Sequence, residues 1–110
     1  MNQNSISTRV SESTKKYLND NYKNQFQGAR VALESYPLLR SAAIKNLHKK
    51  FDADELGLII VSHKGLNLSG IELASRRNFE GMLADYWEIN KEVHITVNFN
   101  KFILKCRELG

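Results

Sequence analysis

The run Ser5-Ile6-Ser7-Thr8-Arg9-Val10-Ser11 passes directly into Glu12-Ser13-Thr14-Lys15-Lys16-Tyr17-Leu18. The first run alternates with the two-residue period of a strand. Ile6, Thr8 and Val10 therefore share one face, and Ser5, Ser7 and Arg9 the other. The first face is suited to burial. The second carries hydroxyls and a guanidinium, groups that hydrogen-bond to base edges and phosphates. A strand this short does not stand alone. It needs a partner: either the same strand of a second copy or the alternating residues 93–97 of its own chain.

Working outward, Ser11 is a good N-cap and Glu12 favours the positive end of a helix. Tyr17, Leu18 and Tyr22 share a face of that helix, which should end between Asn19 and Asn24. Asn24 is positioned to cap a second helix with an apolar stripe of Phe26, Ala29, Leu33 and Tyr36. Gly28 interrupts this stripe at a cost of about 1 kcal/mol relative to Ala, which marks a close approach of another backbone. Pro37 breaks the helix. A further helix is predicted from Pro37 to Lys50, with Leu39, Ala43, Ile44, Leu47 and Phe51 inward.

The strongest start signal comes next. Asp52 and Glu55 form a capping-box pair, with Phe51 and Leu56 at the staple positions. This helix should run to about His63 and stop at Gly65. The same device recurs at Ser69 and Glu72, with Leu68 and Leu73 as its staple. It predicts a helix reaching Trp87 that buries Phe79, Met82, Leu83, Tyr86 and Trp87. Val93, Ile95 and Val97 alternate as a short strand would. A last helix, from Asn98 to Leu109, presents Phe99, Phe102, Ile103, Cys106 and Leu109 on one face.

The chain has 110 residues, 42% of them hydrophobic and 25% charged, the balance of a folded domain. No apolar run approaches the ~18–20 residues of a membrane span. The longest, Leu56 to Val61, contains Gly57. The polar N-terminus lacks the apolar core of a signal peptide. The lone cysteine, Cys106, precludes an intramolecular disulfide and fits a reducing, cytoplasmic location. The net charge of +4 is unevenly spread. Residues 1–50 hold nine Lys or Arg against three Asp or Glu, and residues 51–110 hold seven against nine. The basic half carries the alternating strand, which points to an anionic partner for that half.

The order strand, helix, turn, helix over residues 4–36 resembles the ribbon–helix–helix DNA-binding family, the Arc and MetJ type. The resemblance rests on Ser5 to Ser11, on the helix starting at Ser11, and on a second helix with Ala29, Leu33 and Tyr36. It implies a mainly α fold in which residues 1–36 form a DNA-binding and dimerisation module. One short strand of that module pairs across a homodimer and enters the major groove of double-stranded DNA. Residues 37–110 would follow as a small helical bundle. By position, the resemblance makes Ser5, Ser7 and Arg9 base contacts, with Arg9 suited to a bidentate contact with guanine. It places phosphate contacts at the start of the second helix, Asn24, Gln25 and Gln27, helped by Lys15 and Lys16 through counterion release. The dimer core would be Ile6, Thr8, Val10, Leu18, Ala29 and Leu33. The sequence departs from the family pattern at Thr8, which replaces a bulky apolar residue, at the Asn24 cap, and in the long C-terminal extension. Gln27-Gly28-Ala29, Ala32-Leu33-Glu34, Tyr36-Pro37 and Leu39-Arg40 are also similar to small helical proteins of phages and mobile elements.

Catalysis is not expected. His48, His63 and His94 are too scattered for a metal set, and Cys106 lies on an apolar face. Helix capping accounts for Asp52, Asp54 and Glu55 before any acid–base role does. No cofactor is implied. The expected function is sequence-specific binding of double-stranded DNA as a repressor of a phage, plasmid or mobile element. The alternative is a protein-binding module, antitoxin-like or a phage-encoded inhibitor, in which residues 51–110 grip a partner with Phe79, Tyr86 and Trp87.

Overall fold

A computed structural model describes residues 22–66 and 74–110, and these are helical, with no strand among them. Helix α1 covers 22–33, α2 Ser41–Ile44, α3 Leu47–Lys50, α4 Ala53–Lys64, α5 Arg76–Asn90 and α6 Phe99–Arg107. The expected strand at Ser5 to Ser11, the helix from Ser11 with Lys15, Lys16 and Leu18, and the Ser69–Glu72 capping pair lie outside the described residues.

Helix α4 is the hub. It starts where the capping box requires. The Glu55 N–H donates to Asp52 Oδ1 at 2.8 Å, and the Asp52 N–H donates back to Glu55 Oε1 at 2.9 Å. Phe51 and Leu56 are both buried, as a hydrophobic staple should be. Beyond the first turn the helix is buried on nearly every side, through Leu56, Gly57, Leu58, Ile59 and Ser62. That explains its unbroken apolar run: a helix buried all round loses the polar stripe of a surface helix. Ser62 stays satisfied by donating to the Leu58 carbonyl at 2.7 Å.

The other helices pack around this rod in one hydrophobic core. Ala29, Leu33 and Tyr36 belong to the same cluster as Ile44, Leu47, Phe79, Leu83, Phe102 and Leu109. The boundary expected at residue 36 therefore runs through a shared core as far as the described residues reach. Ala29 and Leu33 are fully enclosed by their own chain. Both were expected in a dimer core, and here they pack in the core of the chain itself. Tyr22 ties α1 to the end of α3, its hydroxyl lying 2.9 Å from the Phe51 carbonyl and 2.5 Å from that of His48.

Local signals were overridden in four places. Asn24 lies inside α1, so it does not cap it. The helix expected from Pro37 to Lys50 is two short turns, α2 and α3. Arg40 is held extended because its N–H donates to the Leu109 carbonyl at 2.7 Å and its guanidinium to the Glu108 carbonyl at 2.9 Å. Asn46 then interrupts the chain by bonding back to the Ala42 carbonyl. Helix α5 starts at Arg76 behind the N-cap Ser75 and runs to Asn90, so residues 74–75 separate it from the Ser69 signal. Residues 93–97 form turns, with Val93 and Ile95 exposed and Val97 buried. The strand expected there is absent.

Gly65 does end α4, but not through a left-handed conformation, since its φ is −86°. It is required for space: a Cβ there would overlap the Tyr86 hydroxyl and ring. Because the backbone itself suits alanine, Gly65→Ala should destabilise the protein by ~1–3 kcal/mol through overpacking. In a Tyr86→Ala background the same change should become neutral or stabilising. Urea unfolding of the four variants measures this coupling, and equal costs in both backgrounds would refute the steric explanation.

Candidate functional site

Two groups of chemistry-bearing residues come together among the described residues. The first is the groove between α1 and α4. Gly28 on α1 faces Ile60 on α4, and a Cβ at Gly28 would come within 2.9 Å of Ile60 Cδ1. Gly57 on α4 makes the reciprocal notch, where a Cβ would lie 3.0 Å from Gln25 Nε2 and 3.2 Å from His94 Cε1. The two missing side chains let the helices approach closely. The close approach marked by Gly28 in the sequence is thus real, but the neighbour is a side chain and not a backbone.

Above the Gly28 contact the helices leave an open groove of about 540 Å³, lined by Asn24, Gln25, Gln27, Val31, Ile60, His63 and Lys64 among others. Its floor is apolar, and Val31 remains 61% exposed beside it. Its rim carries three amides and the Lys64 ammonium. The predicted phosphate contacts Asn24, Gln25 and Gln27 are therefore brought together, but by a different device. They sit on α1, where Asn24 and Gln27 are exposed, and their side-chain amides line the groove. His63 and Lys64 were missed as members of this group. They lie in the last turn of a helix whose sequence signal is at its start, and the α1–α4 pairing that adds them is tertiary. Base contacts Ser5, Ser7 and Arg9, phosphate contacts Lys15 and Lys16, and dimer-core residues Ile6, Thr8, Val10 and Leu18 lie outside the described residues.

The second group is Asp54, His94 and Thr96. Asp54 Oδ1 is 2.5 Å from His94 Nδ1, and Asp54 Oδ2 accepts from the Thr96 hydroxyl. An imidazole oriented by a carboxylate supplies two of the three members of a catalytic triad. Here the hydroxyl also bonds to the carboxylate, on its other oxygen, so the three residues form a clasp that fixes the turn at 93–97 to the start of α4. Glu55 is likewise engaged: it is 4% exposed, with Lys105 Nζ at 2.8 and 2.9 Å from its two oxygens. Burial pushes the Cys106 thiol well above its ordinary range, which keeps it protonated and makes it a core residue. No group of three or more His, Cys, Asp or Glu suited to a metal ion occurs among the described residues. Nor is any helix among them long and apolar enough to cross a membrane.

The aromatic residues expected to serve a protein interface also make contacts within the chain. Phe79 is buried and meets Tyr36 edge-on, at 5.1 Å between ring centres. Trp87 stacks on Phe99 at 5.5 Å, and Tyr86 covers Gly65. Tyr86 and Trp87, unlike Phe79, keep part of their surface exposed. Compared with protein-family models, with curated proteins and with solved structures, the chain matches none.

Tyr36 closes the bottom of the α1–α4 pairing. Its hydroxyl donates to Met82 Sδ at 2.9 Å and lies 3.2 Å from His63 Nδ1. Burial pushes its ionisation up to about 12. A group raised in the folded state supports folding fully below its ordinary value of 10, and that support is lost as pH climbs towards 12. An absorbance titration of tyrosinate should show one tyrosine ionising near 12, absent in Tyr36→Phe. The same variant should lose ~1 kcal/mol at neutral pH, as for one buried hydrogen bond. It should also show a shallower loss of stability above pH 10.

Proposed function

We propose that this chain is a sequence-specific, double-stranded DNA-binding protein that acts as a homodimer, a repressor of the kind carried by phages, plasmids or mobile elements. The observation that carries the reading is the alternation of Ser5, Ser7 and Arg9 with Ile6, Thr8 and Val10 immediately before a capped helix. Two such runs paired across a two-fold axis make a ribbon of the width a major groove accepts. The charge distribution supports it, since the basic excess lies in the same half of the chain.

The helical domain bears on the proposal in two ways. Its core includes Ala29 and Leu33 of α1 and Tyr36 just beyond it, so α1 is an integral part of the helical domain. Its α1–α4 rim offers Asn24, Gln27 and Lys64 as side-chain donors, of the kind that position a protein on a phosphate backbone without reading sequence. With Ala29 and Leu33 committed to the domain core, the dimer rests on Ile6, Thr8, Val10 and Leu18. Function in this reading is binding, and no residue is assigned a catalytic role.

Fluorescence anisotropy of the full chain with random-sequence duplex DNA across a salt series tests the electrostatic part. Affinity should fall steeply as salt rises. After selection of a preferred site from a random pool, Arg9→Ala should weaken specific binding by ~1–3 kcal/mol and relax the preference at one position in each half-site. Lys64→Ala should weaken all sequences alike. No binding at low salt, or an unchanged site preference in Arg9→Ala, would overturn the proposal.

A further inference from the structure

The turn after α5 is built inside out. In Val93-His94-Ile95-Thr96-Val97 the two polar side chains are drawn to Asp54, His94 being buried, while Val93 and Ile95 are 73% and 77% exposed. Ile89, one helical turn before Val93, is 74% exposed. The helical path continues between them, because the N–H groups of Val93 and His94 both donate to the Asn90 carbonyl. Ile89 and Val93 therefore lie on one face, and Ile95 follows two residues on. These three and Val31 and Leu104 are the large exposed hydrophobic residues among those described, and only these three fall within one short stretch.

The exposure is enforced. Asp54, at the start of α4, grips His94 and Thr96 together, and this register turns the intervening and preceding apolar residues outward. An apolar patch held out by a polar anchor has the character of a recognition surface. Its rim is acidic. Asp85 lies one turn before Ile89, and Glu92 adjoins Val93. Both are exposed, and neither makes an ion pair among the described residues. Glu88 is matched by Lys91 at 3.1 Å.

The geometry points to a docking surface for a protein partner that presents a cationic amphipathic helix. Ile89, Val93 and Ile95 supply the apolar contact, and Asp85 and Glu92 the charge complement. The acidic rim decides between occupants. A second copy docked about a two-fold axis would bring Asp85 and Glu92 against their own likenesses. A nucleic acid or an anionic lipid surface would meet the same repulsion. This surface is independent of the DNA-binding reading and stands or falls without it.

The test uses the full-length protein and a synthetic leucine/lysine amphipathic helical peptide, with a leucine/glutamate peptide as its control. The cationic peptide should bind at low salt and shift the backbone amide resonances of residues 85–96. Val93→Ser/Ile95→Ser and, separately, Asp85→Asn/Glu92→Gln should each weaken it about tenfold, a change of ~1.4 kcal/mol. Thermal melts should be unchanged, since all four side chains are exposed. Three results overturn the proposal. The cationic peptide does not bind, or it binds the variants as it binds the parent. Alternatively, sedimentation equilibrium shows a dimer that Val93→Ser/Ile95→Ser dissolves, which makes the face a contact between copies.

Discussion

The Glu55 carboxylate is the point on which the described fold depends. It is buried, and a buried carboxylate is tolerable only when its oxygens are satisfied. One oxygen accepts the Asp52 N–H and so starts α4. Both accept the Lys105 ammonium and so fasten α6 across that start. Lys105 also lies over the Phe51 ring, 5.7 Å from its centre, while Phe51 meets Phe102 edge-on. A local capping signal and a contact fifty residues away thus share one side chain. The C-terminal residues close the arrangement. Glu108 pairs with Lys50, whose ammonium holds the carboxyl below the usual range, and the Glu108 and Leu109 carbonyls hold Arg40. These last contacts are exposed and add little energy singly. Their role is register, since they set where the chain turns before α2.

Around α4 the packing is governed by what is missing from the side chains. Gly28 and Gly57 lie on facing helices, and each gives room to a residue of the other, Ile60 and Gln25. Side chains larger than hydrogen at either point would separate α1 from α4 and open the layer that holds Ala29 and Leu33. The same principle operates at Gly65, where the Tyr86 ring takes the space. An otherwise unfavourable glycine in a helix interior is repaid in contact area at the interface. The groove beside Gly28 is then a consequence of close helix approach below and side-chain divergence above.

The parts of this fold legible in the sequence are those decided within a few residues. The Asp52–Glu55 box, the staple of Phe51 and Leu56, and the amphipathic last helix behind Asn98 all appear where spacing placed them. The buried faces of α1, α5 and α6 also follow from their periodicity. Errors arose where a distant partner outbid a local preference. Arg40 is extended because the C-terminus holds it, and nothing near Arg40 announces that. Asn24 has a capping side chain but lies inside a helix, because propensity is a weak prior against a core that includes Ala29 and Leu33. Among the groove residues, Asn24, Gln25 and Gln27 are neighbours in sequence, whereas His63 and Lys64 join them only through the pairing of α1 with α4.

The two alternating stretches illustrate the limit of such reading. Ser5 to Ser11 and Val93 to Val97 have the same period, and alternation alone assigns both to strands. For the second stretch, one carboxylate some forty residues earlier in the chain decides otherwise. Asp54 satisfies His94 and Thr96 in a turn, so the apolar residues lose their inward register and face out. A strand would have buried Val93, Ile95 and Val97 together; the anchored turn buries only Val97. Period therefore states which residues share a face, and polar anchoring states which face is turned inward. In this segment the second consideration offsets the first, because three polar side chains, Asp54, His94 and Thr96, are satisfied together, each worth about 1–3 kcal/mol if buried unsatisfied, against about 1.5–3 kcal/mol forgone at each of two exposed β-branched side chains. Once the anchor is made, the surplus apolar surface has no partner among the described residues, and that surface is what remains available for recognition.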